Sequence, residues 1–172
     1  MSLDVLILRD PRESARKCSL TPLVGLPGIT FVVHGSGRRV DGAGRILLHP
    51  DGDEIGPADR GKGLLLVDCA WRRLPELLAR VDGDPPRRRL PPLVTAYPRK
   101  SRVHPDPAQG LASVEALYAA LALLGEPHPE LLEGYRWAGE FLERNPMLPR
   151  AAFDATSAAA SRGDRPSRRS PR

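Results

Sequence analysis

The feature that most constrains the fold is the continuous apolar run Gly63-Leu-Leu-Leu-Val-Asp68. A strand with one solvated face alternates apolar and polar residues, whereas a strand covered on both faces reads as an unbroken apolar run. This run is short, and it ends in an acid. It therefore predicts an α/β protein with a parallel sheet, in which residues 63–68 form a strand that is buried on both faces.

Short apolar runs bounded by Gly, Pro or Asp predict four further strands. They cover residues 3–8, 30–34, 45–48 and 93–96. The last of them, Leu93–Ala96, continues into Tyr97-Pro98, and we interpret it as a second buried strand that ends in a proline-fixed turn. Backbone at such a turn is placed to contact a ligand.

Three segments have the apolar spacing of helices. The first is predicted over Trp71–Val81; its apolar face is made by Leu74, Leu77, Leu78 and Val81. The second ends at Gly125 and the third begins at Pro129. Their apolar positions are Val114, Leu117, Leu121 and Leu124, then Leu132, Tyr135, Phe141 and Leu142. Strands thus come first, and a helical part follows them.

Length and composition favour one domain with a tail. With 172 residues, 41% of them hydrophobic, the chain can bury a core without disulfides, and we predict a single domain over residues 1–156. Residues 157–172 hold almost nothing to bury, which predicts a disordered, Arg-rich tail with a net +4 of the formal +5. Neither a membrane-spanning run nor a secretory signal is present, so we expect a cytoplasmic protein without membrane contact.

Metal and dinucleotide sites are not indicated. Cys18 and Cys69 lie far apart without a CxxC pattern, and we interpret both as reduced thiols. The stretch Gly35-Ser-Gly37 lacks the third glycine of a dinucleotide loop, and the acids of 51–54 lack the rest of a calcium loop. We therefore expect no bound metal.

Clusters of basic residues interrupt a body that is otherwise nearly neutral. They lie at 38–39, 72–73, 87–89 and 99–102. Such clusters can follow the phosphates of an RNA along a groove. A solvated surface explains them equally well, because arginine is the common basic residue throughout this chain. Charge by itself leaves both interpretations open.

The acid that ends the 63–68 run is the best catalytic candidate. Ligands of open α/β sheets bind beyond the carboxyl ends of the strands, and both Asp68 and Trp71 follow this strand end. Each also has a structural alternative. Aspartate at a strand-to-helix turn commonly caps the helix, and a tryptophan there can be a core residue.

Five segments occur in an order that carries a family resemblance. They are Asp10-Pro11 with Lys17-Cys-Ser19, Asp68-Cys-Ala-Trp71, Arg88-Arg-Leu-Pro-Pro-Leu-Val-Thr-Ala-Tyr-Pro98, Leu111-Ala-Ser-Val-Glu-Ala116 and Tyr135-Arg-Trp-Ala-Gly-Glu-Phe-Leu-Glu-Arg-Asn145. Together with a weaker match at Pro57-Ala-Asp-Arg60, they resemble the small-subunit ribosomal RNA aminocarboxypropyltransferase family over about residues 5 to 146. The departures are Tyr97 for the asparagine before proline, Gly56 for a serine, and a changed loop at 99–104.

The resemblance implies a SPOUT-like knotted parallel sheet with a C-terminal helical part. It also implies transfer of the 3-amino-3-carboxypropyl group of S-adenosylmethionine to a hypermodified pseudouridine of ribosomal RNA, with methylthioadenosine as by-product. Asp68 is the expected catalytic residue. The residues expected at the S-adenosylmethionine site are Ser19, Asp68, Trp71, Leu90, Leu111, Ser113 and Glu115.

Roles for these residues follow from the chemistry that the resemblance implies. Every carbon on a sulfonium is electrophilic, so the enzyme selects one by exposing it and burying the others; Trp71 and Leu90 are candidates to cover the methyl group. Asp68 would accept the proton of the ring nitrogen. The hydroxyls of Ser19 and Ser113 would bind the donor, while Glu115 favours the dipole of its helix.

The expected partner is RNA, either small-subunit ribosomal RNA or a pre-ribosomal particle, bound by a monomer. Two alternatives remain open. One is an S-adenosylmethionine-dependent RNA methyltransferase of the same fold, which only its product would distinguish. The other is a noncatalytic RNA-binding protein of ribosome assembly, in which Asp68 is a cap and Trp71 a core residue.

Overall fold

A computed structural model describes residues 3–14, 16, 18–35, 37–98 and 110–150 of the chain. Five of its strands form one sheet in which all pairs are parallel: β1 (Val5–Arg9), β2 (Ile29–Val33), β4 (Arg45–Glu54), β5 (Gly63–Asp68) and β7 (Arg87–Arg89). Their spatial order is β2-β1-β5-β4-β7, while β3 (Val40–Asp41) and β6 (Val81–Asp82) pair in parallel separately. The predicted parallel sheet is confirmed.

The apolar run places β5 in the middle of this sheet. Side chains alternate between the two faces of a strand, so successive leucines of β5 enter different cores. Leu64 packs with β1 and with α2 (Ser113–Leu123) on one face. Leu65 packs on the other face with Leu77 of α1 (Leu74–Leu78). All three leucines are fully buried.

Two of the three predicted helices are shorter than the apolar spacing indicates. The segment predicted over Trp71–Val81 begins with a 3₁₀ turn, Trp71–Arg73, continues as α1 and ends at Leu78, because Val81 pairs in β6. The helix predicted from Pro129 is a 3₁₀ turn, Pro129–Leu132, followed by α3 (Ala138–Arg144). Gly134 lies between these pieces at φ 75°, a conformation that ends helical geometry. Only α2, which ends before Gly125, runs as predicted.

The predicted strand Leu93–Ala96 is wrong, because these residues are irregular. Its neighbours Pro91 and Pro92 have no N–H to give to a sheet. Side chains take the place of a partner strand. Asn145 bonds both backbone groups of Val94, at 2.8 Å each, and Glu115 accepts the N–H of Ala96 at 3.0 Å. The edge strand next to β4 is β7 instead.

A break in the pairing of β4 with β7 shapes the edge of the sheet. Leu48 and Asp53 are both in register with Arg88, so residues 49–52 leave the regular ladder. Gly52 allows the close approach that results. A Cβ at this position would lie 2.4 Å from the backbone carbonyl carbon of Arg87. The break begins at His49.

No helix within the described ranges is long and apolar enough to cross a membrane. The tail predicted from residue 157 and the changed loop at 99–104 lie outside the described residues.

Candidate active site

A cavity of about 680 Å³ lies at the carboxyl ends of β5 and β7, beside residues 48–50 in the middle of β4. This volume is within the range of small-molecule sites. Its wall is built mainly from four stretches, 48–50, 66–71, 88–93 and 110–113, together with single residues that include Glu13, Cys18 and Ser19 from the loop after β1. Six of the seven residues predicted at the donor site line it: Ser19, Asp68, Trp71, Leu90, Leu111 and Ser113.

Asp68 is the most heavily bonded acid of this wall, and only 6% of it is exposed. Its Oδ2 atom accepts from Arg9 Nε at 3.0 Å and from Cys18 Sγ at 3.1 Å. Its Oδ1 atom accepts from Ser113 Oγ at 3.3 Å. Arg9 is in register with Asp68 because β1 and β5 are neighbouring parallel strands. The carboxylate is thus held by donors from three separate parts of the chain.

The alternative role of Asp68 as a helix cap does not match this geometry. The 3₁₀ turn that begins at Trp71 has Ala70 at its N-cap position and no side-chain cap. The carboxylate of Asp68 is directed to Arg9, Cys18 and Ser113 instead. An acid with these partners at the end of a central strand belongs to the cavity.

Trp71 lies at the cavity rather than in the core, since 43% of it is exposed. Leu90 and Leu111 contribute apolar surface to the same wall and pack against the core from there. An exposed aromatic ring beside aliphatic side chains suits a flat, partly apolar ligand. The roles that we predict for Trp71, Leu90 and Leu111 remain predictions.

Ser19 and Ser113 meet at the beginning of α2. The hydroxyl of Ser19 accepts the N–H of Val114 at 3.2 Å, which satisfies one of the donors that a helix leaves free at its start. Ser113 donates to Asp68. Both hydroxyls therefore have a protein partner, and each can make one further hydrogen bond to a ligand in the cavity.

Glu115 is the predicted site residue that does not line the cavity, because it is completely buried beneath it. Its carboxylate accepts hydrogen bonds from four groups: Thr95 Oγ1 at 2.6 Å, the N–H of Ala96 at 3.0 Å, the N–H of Ala112 at 2.9 Å and Tyr135 Oη at 3.0 Å. Burial and the charge of Glu115 raise the pKa of Tyr135, so the phenol stays a donor. Glu115 thereby joins the 95–96 segment to α2.

Several residues of the wall have no counterpart in the sequence predictions. Burial and the negative charges of Asp68 and Asp10 raise the pKa of the Glu13 carboxyl. Burial and the Asp68 charge raise the pKa of the Cys18 thiol to about 11. Burial and Arg87 lower the pKa of His49. The position of Cys18 beside Ser19 in a motif was the available signal; His49 depends on the break in β4.

Tyr97, the departure from the family pattern, also lines the cavity. Its ring contacts Trp137 edge-on at 5.1 Å, and Trp137 contacts Tyr135 in the same way at 5.7 Å. Tyr135 donates to Glu115, so the aromatic cluster and the buried acid support one wall. Across the described part of the chain, no group of three or more metal-ligating side chains is found.

Comparisons with known proteins agree on one family. Residues 46–159 match the family described as Ribosome biogenesis protein, C-terminal. The 16S rRNA aminocarboxypropyltransferase of Vulcanisaeta distributa is 31% identical over 151 residues, which cover 80% of this chain and 75% of that protein. The protein of the same name from Methanosphaera stadtmanae is 31% identical over 117 residues, covering 64% and 66%.

A solved structure has the same fold. It is described as the SAM-dependent rRNA:acp-transferase Tsr3 from Vulcanisaeta distributa. The TM-score is 0.64 at 26% identity, and the match covers 86% of this chain and 80% of the other.

Proposed function

This chain belongs to the family described as Ribosome biogenesis protein, C-terminal, and on that basis we propose that it is a transferase acting on small-subunit ribosomal RNA. It transfers the 3-amino-3-carboxypropyl group of S-adenosylmethionine to a uridine or pseudouridine base and releases methylthioadenosine. The named relatives support this reaction. The observation that carries it is the cavity at the carboxyl edge of the sheet, which brings six motif residues from four separate segments together.

The cavity would select among the three carbons on the sulfonium of the donor. A ring nitrogen attacks the carbon that links the aminocarboxypropyl group to sulfur; the C–S bond breaks, its electron pair stays on sulfur, and the nitrogen loses its proton. The selected carbon has to face the acceptor while the methyl group stays covered. Trp71 and Leu90 are two of the apolar residues of the wall and suit this covering role.

Asp68 would accept the proton that the ring nitrogen loses. A proton acceptor must lie within hydrogen-bond reach of the reacting group. Arg9 and Ser113 bind different oxygens of the carboxylate and so fix its plane. Ser19 and Ser113 would bind polar groups of the donor. The group that leaves the sulfonium is a neutral thioether, which is a good leaving group, so this mechanism requires no metal.

Further features of the proposal rest on the family resemblance. The sheet and the C-terminal part would form the knotted SPOUT-like fold, with residues 1–156 as one domain. The protein would act as a cytoplasmic monomer. The parallel sheet and the likeness to the Tsr3 chain support this fold class.

Position-specific labelling of the donor tests the reaction. The protein is incubated with small-subunit ribosomal RNA from cells that lack it, and with S-adenosylmethionine labelled either in the carboxyl carbon or in the methyl group. We expect only the carboxyl label in RNA, with methylthioadenosine formed in equal amount. Methyl label in RNA together with S-adenosylhomocysteine would identify a methyltransferase. RNA binding without either label in RNA would favour a noncatalytic assembly protein.

A further inference from the structure

The charged side chains of the cavity wall are neutralised by neighbours, with one exception in the described part of the chain. Asp68 pairs with Arg9 at 3.0 Å, Arg88 with Asp59 at 2.7 Å, and Arg89 with Glu54 at 3.6 Å. The lining acid Glu13 forms no ion pair with any described residue. Among the described residues, its carboxylate therefore has no cationic partner that a ligand would have to displace.

Glu13 lies in the loop that follows β1, where the backbone fixes its position. Its N–H donates to the carbonyl of Asp10 at 3.0 Å, and the backbone N–H of Ala70 is directed at its carboxylate. Asp10 itself is fully buried and bonded to Arg73, so it does not compete for a ligand. The half-buried Glu13 side chain thus lies beside Asp68 and faces the cavity.

A half-buried carboxylate near another negative charge is destabilised in its ionised form. Burial and the charges of Asp68 and Asp10 oppose ionisation of Glu13, whereas Arg9 and the Ala70 amide favour it. A cation that enters the cavity relieves this repulsion. The interaction is strengthened because the wall excludes part of the water that would screen it.

We propose that Glu13 recognises the positive charge of the donor and so distinguishes S-adenosylmethionine from its by-product. The proposal rests on the function proposed above. S-adenosylmethionine carries a sulfonium and an α-ammonium group, while methylthioadenosine carries neither. Glu13 therefore stabilises the complex before transfer and contributes nothing to binding of the nucleoside that remains after it. This difference favours exchange of by-product for fresh donor.

Binding measurements with three nucleosides test this role. S-adenosylmethionine, S-adenosylhomocysteine and methylthioadenosine are titrated by calorimetry into the full chain, its Glu13→Gln variant and a Glu143→Gln control, whose exposed acid lies on α3. Glu13→Gln should weaken S-adenosylmethionine binding by about 10-fold, the effect of one partly screened charge pair. Methylthioadenosine binding should change less than about 2-fold. The control should match the unmodified protein.

The three ligands also separate the two cations. Of the two cationic groups, S-adenosylhomocysteine keeps only the ammonium. If Glu13→Gln weakens its binding as much as that of S-adenosylmethionine, the ammonium group is the partner of Glu13. If only S-adenosylmethionine binds more weakly, the sulfonium is the partner. Glu13→Asp keeps the negative charge. It should therefore retain more of the preference for S-adenosylmethionine over methylthioadenosine than Glu13→Gln does.

Other outcomes overturn the proposal. An equal loss for all three ligands would mean that Glu13 only shapes the cavity. Unchanged donor binding with a raised KM for RNA would place Glu13 at the acceptor. If the unmodified chain binds none of the three ligands, the proposed function itself fails and this inference with it.

Discussion

At the scale of single residues, the bonding of Asp68 explains how an almost fully buried carboxyl group can be accommodated in the wall of a cavity. A buried charge is costly unless a partner charge and hydrogen bonds compensate it. Arg9 supplies the charge, while Cys18 and Ser113 supply further donors. Arg9 is itself held over the ring of Phe31, 4.7 Å from its centre. The reacting group that we propose therefore also contributes to stability.

Asp68→Asn should reduce transfer by about 100-fold at saturating donor, the usual scale for loss of a proton acceptor. It should also destabilise the fold by about 3 kcal/mol, because it leaves the charge of Arg9 without its buried partner. Single-turnover transfer and denaturant unfolding measure the two effects.

The double variant Arg9→Met/Asp68→Asn separates the effect on transfer from the effect on stability. Removing both charges should restore most of the stability and none of the transfer. Recovery of transfer together with stability would show that Asp68 has only a structural role.

The raised pKa of Cys18, about 11, predicts a slow reaction with alkylating reagents. Only the thiolate reacts, and a pKa above the ordinary value means that little thiolate is present at pH 8. The alkylation rate of Cys18 at pH 8 should thus be about 100-fold lower in the folded protein than in urea. Mass spectrometry of iodoacetamide-treated protein gives the rate, which should still be rising at pH 10. A rate that levels off below pH 9 would contradict the assignment.

At the scale of elements, the sequence predicts those strands and helices in which buried apolar residues follow a regular pattern along the chain. The run 63–68 indicates a central parallel strand because an unbroken apolar run reports burial of both faces of one element. The apolar spacing over α2 likewise indicates a helix. The prediction of a strand at Leu93–Ala96 is wrong because the partners of this segment are distant in sequence. Its backbone is bonded to the side chains of Asn145 and Glu115, which no local pattern in the sequence encodes.

The same distinction applies to the site. Motif residues such as Ser19, Asp68 and Ser113 could be predicted because the family pattern marks them, and all three line the cavity. The ion pair of Arg9 with Asp68 depends on strand register, and the position of His49 depends on a break in pairing. Both are properties of paired strands rather than of either strand by itself.

Gly52→Ala should separate β4 from β7, because the added Cβ would lie 2.4 Å from the backbone of Arg87. We expect a loss of at least about 2 kcal/mol in the free energy of unfolding. Donor binding should weaken as well, since Arg88 and Arg89 of β7 line the cavity.

Gly56→Ala is the matched control. Its Cβ would meet nothing within 4 Å, and its φ of −156° suits alanine. It should change stability by less than about 0.5 kcal/mol. Equal effects of the two substitutions in denaturant unfolding would contradict the proposed close approach.

At the scale of the whole molecule, the basic charge is concentrated at one end of the chain. Residues 157–172 hold five arginines and one acid, which leaves about +1 for the rest of the protein. Phosphate contacts add affinity and carry little sequence information. We therefore expect the C-terminal segment to strengthen RNA binding while the domain selects the site.

Deletion after Thr156 should lower the slope of log affinity against log salt by about 2 to 3, since each neutralised phosphate adds roughly 0.7 to 0.9. Donor binding should not change, because the described cavity is built from residues before 117. Titration of both proteins with the same RNA at several salt concentrations measures the slopes. Parallel slopes would show that this segment does not contact the RNA.

The hydrogen bonds of the irregular segment 93–97 also determine the order in which parts of the protein can form. The ribosome makes the chain from its N-terminus, so late residues are missing at first. All strands of the large sheet are complete once Arg89 has been added. The wall that follows has to wait for Glu115 and then for Asn145 before its backbone is satisfied. A chain cut short before Asn145 would thus contain every strand of the large sheet but could not finish the cavity. Such a fragment could not use the donor.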